Sequence, residues 1–162
     1  MSDVAALRVE DLHEIVEQVW SSYLDPDGIE PLLPIFSEED VAALKTDMHA
    51  SVSITGTWHG HVVVACNEPA AKNCSAAFLA MEADEVGEED MMDVLGELAN
   101  IVGGNVKSML PPGCFVSLPT VVTGEAPHYP SAEPVCQLAG LWKEDPFVIT
   151  MWQSSGAAGE AA

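Results

Sequence analysis

Residues 88–113 read EEDMMDVLGELANIVGGNVKSMLPPG, the longest helical pattern in the chain. At about 100° per residue, Met91, Leu95, Leu98, Val102 and Met109 fall on one side. Asp93, Glu97, Asn100, Gly104 and Lys107 fall in a narrow stripe on the other. The spacing predicts an amphipathic helix over Glu88–Leu110, buried on the first side and wet on the second. Pro111-Pro112-Gly113 ends it, because proline removes a backbone donor and clashes with the preceding turn.

Upstream of this helix, the period differs from segment to segment. Leu12, Ile15, Val16, Val19, Trp20 and Tyr23 recur at helical spacing over Asp11–Leu24, and Asp25-Pro26-Asp27-Gly28 stops that run with turn chemistry. Glu30–Ile35 reads as irregular and proline-rich, and Ser37-Glu38-Glu39-Asp40 as a cap opening a short helical turn. From Met48 to Cys66 the alternation is that of a hairpin, with its turn in Gly56–Gly60. Pro69–Met81 is helical again, its small residues suited to a close neighbour.

Downstream, Phe115–Thr123, Val135–Trp142 and Phe147–Trp152 read as strands, with Pro119 at an edge or bulge. The order is helix, hairpin, helix, helix, then strands. Such segregated runs predict an α+β fold, with helices covering an antiparallel sheet, and exclude a doubly wound α/β sheet. One domain is expected over residues 1–153, with 154–162 a disordered small-residue tail.

Composition removes several function classes. The 162 residues carry 26 acids against 5 Lys and Arg, a formal net charge of −21. Nucleic-acid binding needs basic residues against phosphate, so it is not expected; an anionic membrane is disfavoured for the same reason. The N-terminal stretch lacks a secretory pattern and no apolar run reaches membrane-spanning length, so a cytoplasmic protein is expected. Cys66, Cys74, Cys114 and Cys136 form no Cys-x-x-Cys pair. They read as buried free thiols, not zinc ligands or disulfides. His59 and His61 share a strand face without an evident third ligand, and read as hairpin residues. Trp20, Trp58, Trp142 and Trp152 read as core or dimer-interface residues.

The chemistry concentrates on the polar stripe. Glu97 and Asn100 are three residues apart and therefore neighbours on the helix surface. Asn is a poor interior helix residue, and Gly96, Gly103 and Gly104 each cost about 1 kcal/mol relative to Ala. Local rules are broken in this way where function or close packing demands it. On spacing alone, Glu-x-x-Asn also fits an ordinary solvated helix face.

The segment Asp93-Val94-Leu95-Gly96-Glu97-Leu98-Ala99-Asn100-Ile101-Val102-Gly103-Gly104-Asn105 closely resembles the signature helix of the CheX/CheC/FliY phosphatases. Ser117-Leu118-Pro119-Thr120-Val121-Val122-Thr123-Gly124 resembles the strand that follows it. A single Glu-x-x-Asn points to the CheX type. The resemblance implies a cytoplasmic homodimer joined through its sheets, hydrolysing the phospho-aspartate of a CheY-like response-regulator receiver in chemotaxis or related two-component signalling. It assigns Asn100 to positioning the attacking water and Glu97 to docking on the receiver's active-site lysine. Asp93, Gly96 and Gly104 are supporting or partner-binding positions. No cofactor or metal site of its own is expected; Mg²⁺ belongs to the partner receiver. The alternative is a non-catalytic CheX-like adaptor for a receiver or flagellar switch protein, or an inhibitor or scaffold in another signalling system.

Overall fold

The computed structural model of the protein describes residues 7–155. Seven strands, β1 (Leu33–Ile35), β2 (Met48–Gly56), β3 (Gly60–Cys66), β4 (Cys114–Val116), β5 (Thr120–Thr123), β6 (Ala132–Trp142) and β7 (Asp145–Ser154), form one sheet in the order β1-β6-β7-β3-β2-β4, with β5 also paired to β2, and every pairing is antiparallel. The fold is α+β, as the segregated patterns predict.

The hairpin is the middle of this sheet. β2 (Met48–Gly56) pairs with β3 (Gly60–Cys66), and β3 pairs on its far side with β7 (Asp145–Ser154). β6 (Ala132–Trp142) follows, and β1 (Leu33–Ile35) closes that edge. Alternate residues of these strands point to one face: Ala50, Val52 and Ile54 from β2, Val62 and Val64 from β3, Ile149 and Met151 from β7, all buried.

Three helices cover that face: α1 (Val9–Val19) against β6, α3 (Glu68–Leu79) against β7, and α4 (Glu88–Lys107) across β2 and β3. Each starts where the local chemistry allows. Asn67 caps α3 by accepting from Ala70 N at 2.9 Å, with Pro69 in its first turn. Gly87 precedes α4, and Asp90 accepts from Gly87 N at 3.0 Å while Glu88, Glu89 and Asp90 place negative charge at the positive helix end. The short α2 (Glu38–Ala42) is capped by Ser37 as read, through Asp40 N. It borders the opposite face of the sheet, where Val41 and Leu44 line a cavity of about 750 Å³ with Val63, Ala65 and Thr150.

Five expectations are corrected. Leu33–Ile35, read as irregular, is an edge strand; its pairing partner, Ala139–Leu141, lies a hundred residues away in sequence, so local patterning carries no sign of it. The first helix is α-helical only to Val19 and continues as a π-helical turn, Trp20–Leu24, in which Asp25 N reaches back to Trp20 O at 2.6 Å. That turn leaves Tyr23 exposed, stacked on Phe78 with ring centroids 5.3 Å apart. α4 ends at Lys107, ahead of the two prolines, and Met109 beyond it is exposed. Ser154 belongs to β7, its N–H donating to His59 O at 3.0 Å, so the sheet runs past residue 153. The rest of the expected C-terminal tail, 156–162, lies outside the described residues.

All four cysteines are free and buried. Trp20, Trp58 and Trp142 are in the core, whereas Trp152 is half-buried on the opposite sheet face. Trp20 meets Phe147 and Trp142 edge-to-face at 5.0 and 5.9 Å between centroids.

Candidate active site

The face of α4 divides as its sequence predicts. Met91, Leu95, Leu98 and Val102 are buried against the sheet. Asp93, Glu97, Asn100, Gly104 and Lys107 are exposed. The glycines of this helix serve different ends. Gly103 is buried over β2: a Cβ there would stand 2.6 Å from Val52 Cγ2. Its missing side chain lets α4 lie directly on the sheet. Gly96 is also buried, facing Pro119 and Val121, with Pro119 Cγ 3.4 Å from the position of a Cβ. This partner-binding candidate is therefore covered by the protein's own chain. Gly104 differs: nothing lies within 4 Å of its Cβ position, so it opens a gap in the helix surface one turn beyond Asn100.

Glu97 and Asn100 are held by the helix backbone alone. The side-chain hydrogen bonds of α4 come from Asp90, and from Asn105, whose amide donates to Ile101 O at 2.8 Å. Among the described residues, neither Glu97 nor Asn100 has a side-chain hydrogen bond or ion pair. A carboxylate and a primary amide, one helical turn apart on a rigid element, are thus directed outward with their bonding capacity unspent. Lys107 stands in the last turn, where a cation suits the helix dipole.

The segment beside this stripe is expected as one strand with Pro119 at an edge or bulge. It is two strands, β4 (Cys114–Val116) and β5 (Thr120–Thr123), sharing the outer edge of β2. Ile54 pairs with Val116 and Ser51 with Thr120, so Val52 and Ser53 of β2 oppose Ser117, Leu118 and Pro119. One residue is extra, which is a β-bulge. Ser117 anchors it: its N–H donates to Ser53 O, and its Oγ accepts from Ser53 N, both at 2.9 Å. Proline at 119 has no N–H to leave unpaired there.

Elsewhere, His61 is committed to stacking on Tyr129, with centroids 3.9 Å apart and planes within 11°. Burial lowers its pKa below the usual value of 6.5. Among the described residues, no group of three His, Cys, Asp or Glu side chains is arranged to hold a metal ion. No helix among them is long and apolar enough to cross a membrane.

Solved structures of chemotaxis proteins share this fold. A CheX chemotaxis protein from Vibrio vulnificus superposes with a TM-score of 0.67 at 16% identity, over 90% of this chain and 95% of its own. CheX from Desulfovibrio desulfuricans gives 0.66 at 17%, over 88% and 96%. The CheX–CheY–BeF3–Mg²⁺ complex from Borrelia burgdorferi gives 0.65 at 14%, over 90% and 96%. No curated protein matches the chain. The family model described as chemotaxis phosphatase CheX matches residues 48–139, from β2 through most of β6 and including all of α4. The chain belongs to the CheX family.

Proposed function

We propose that this protein is a phosphatase of receiver domains, hydrolysing the phospho-aspartate of a CheY-like response regulator. The observation that carries the reading is the pair Glu97 and Asn100, exposed one turn apart on α4, with the open gap at Gly104 beside them. Membership of the CheX family supports the substrate class. The complex in which the Borrelia burgdorferi relative is joined to CheY with Mg²⁺ supports a receiver partner that brings its own metal.

An aspartyl phosphate is a mixed anhydride, and its hydrolysis is mainly a problem of positioning. In this reading, the Asn100 amide oxygen accepts a hydrogen bond from water and its NH₂ donates towards the phosphoryl group. This orients the water in line with the P–O bond to the aspartyl oxygen. That bond breaks as the new P–O bond forms, giving inorganic phosphate and a free carboxylate. An amide does not titrate, so the role needs no shifted pKa. Glu97 pairs with the receiver's lysine and fixes the register of docking. Asp93, exposed one turn before Glu97, is a supporting position of the same stripe. Mg²⁺ stays on the receiver, where it neutralises phosphoryl charge. A cytoplasmic homodimer belongs to the same proposal.

The test is phosphate release from phosphorylated receivers of the source genome, with Mg²⁺ present. Wild type shortens the phosphate lifetime of at least one receiver. Asn100→Ala loses that effect while still binding, and Glu97→Gln raises KM. Binding with an unchanged phosphate lifetime for the wild type would replace the phosphatase with an adaptor.

A further inference from the structure

The face of the sheet turned away from α4 is bordered by two connections. Residues 36–47 run from β1 to β2 and carry α2. Residues 124–131 run from β5 to β6, and Tyr129 within them stacks on His61 of β3 and meets Trp152 of β7. Both connections line the cavity of about 750 Å³: Phe36, Val41 and Leu44 from the first, Ala126 and Pro127 from the second.

The floor of this cavity follows from strand register. His49, Ala65, Val148 and Ala139 stand in one row across β2, β3, β7 and β6, with Val63, Thr150 and Gln137 in the next. Ala65 and Ala139 are buried, and their short side chains leave the floor deep where larger ones would fill it. Protein interiors hold few voids larger than a water molecule, and a space of this size is that of a small-molecule site.

Two polar positions in the lining offer acceptors. Gln137 Nε2 donates to Thr150 Oγ1 at 3.0 Å, which leaves the Gln137 amide oxygen unspent among the described residues. His49 is 3% exposed, and its Nε2 lies 3.2 Å from Gly124 O. A carbonyl oxygen only accepts, so Nε2 carries the hydrogen and Nδ1 of the neutral ring is an acceptor. Nδ1 is buried and has no partner among the described residues, a state that is costly until a donor reaches it. The rest of the lining sets the charge of an occupant. Glu38 is its one carboxylate and no Lys or Arg belongs to it. A carboxylate or phosphate would enter without a counter-charge, in a chain of net charge −21.

We propose that this cavity is a binding site for a small, uncharged, largely apolar molecule that bears a hydroxyl group, an alcohol or a phenol, whose O–H donates to His49 Nδ1. The site is on the opposite face of the sheet from Glu97 and Asn100, and it stands apart from the phosphatase reading.

The experiment titrates naphthol, naphthalene and naphthoate into the full chain at pH 8, where naphthol is uncharged and naphthoate is an anion. Binding is followed through the backbone amide resonances of Ala65, Ala139 and Thr150, and light scattering gives the oligomeric state. Naphthol should bind and shift these three resonances. Naphthalene, lacking the hydrogen bond, should bind about fivefold more weakly, and naphthoate should not bind. His49→Gln keeps a donor for Gly124 O and removes the Nδ1 acceptor. It should lower naphthol affinity to that of naphthalene and leave naphthalene unchanged. Ala65→Leu fills the floor and should abolish binding. Ala42→Phe, on the exposed side of α2, narrows the entrance; it should weaken naphthol binding while its thermal melt matches wild type. Equal affinities for naphthol and naphthalene in the wild type, naphthoate binding as tightly as naphthol, or no effect of His49→Gln would each overturn the proposal. A dimer in which no probe shifts these amides would assign the cavity to a second copy of the chain and overturn it as well.

Discussion

Gly103 stands directly over Val52, close enough that a methyl group on the helix would come to 2.6 Å from Val52 Cγ2. Val52 is 2% exposed, and its β-branched side chain has no space into which to turn. Gly103→Ala gains about 1 kcal/mol of helix propensity, and loses more to overpacking, which costs about 1–3 kcal/mol in a tight core. The expected net is a destabilisation of about 1 kcal/mol, read as a lower urea midpoint at unchanged m-value. A midpoint equal to or above wild type would mean that α4 can lift from the sheet without cost.

The next residue should behave in the opposite way. Nothing lies within 4 Å of a Cβ on Gly104, and its φ is not in the left-handed region. Gly104→Ala should raise stability by about 0.5–1 kcal/mol through helix propensity and a less flexible unfolded chain. If the gap at Gly104 receives the receiver, the same substitution should raise KM for receiver dephosphorylation. Greater stability with weaker activity is the mark of a residue kept for its function. Greater stability with unchanged activity would remove Gly104 from the site.

This pair shows what could be read in the chain beforehand. The α+β class, the hairpin, the cap at Ser37 and the two faces of α4 are local in origin, set by period and by turn chemistry over neighbouring residues. The stripe of Asp93, Glu97, Asn100 and Gly104 was legible for that reason. What the glycines face was not. Gly96, Gly103 and Gly104 look alike in the sequence, and only the paths of β2 and of residues 116–119 distinguish covered from open. The edge strand Leu33–Ile35 was hidden for the same reason, being defined by a partner strand remote in sequence, whereas the segment Ser117–Pro119 was legible as far as an edge or bulge at Pro119. Pro119 was the one local signal at the bulge, and it did not show that Leu118 would be the residue left exposed.

The thiols give a separate check on the core. Burial pushes the Cys74 thiol up to about 12. Burial also raises Cys66, with further contributions from Cys74, Asp47 and Asp145. At pH 8 the thiolate fraction of a thiol at about 12 is roughly a thousandfold below that of an unperturbed cysteine, and the thiolate is the reactive form. Iodoacetamide at pH 8 should leave Cys66 and Cys74 unmodified in the folded protein and label both after denaturation. Peptide mapping that finds either labelled under native conditions at the rate of the unfolded chain would contradict the packing of α3 on the sheet.

Acid should weaken the fold in part through His61. Its ring lies flat on Tyr129, which meets Trp152 at 5.6 Å between centroids, and burial holds the imidazole pKa below 6.5. The unfolded chain therefore binds this proton more tightly than the folded one. The contribution of His61 to stability is fully present above about pH 6.5 and is lost as the pH falls through the lowered folded-state value. His61→Phe keeps an aromatic ring against Tyr129 and removes the titration. Urea midpoints at pH 7.5 and pH 5 should fall further for wild type than for His61→Phe, because the carboxylates contribute alike to both proteins. An equal fall in the two would show that protonation of His61 costs the folded state nothing, and that the stack on Tyr129 accepts imidazolium as readily as imidazole.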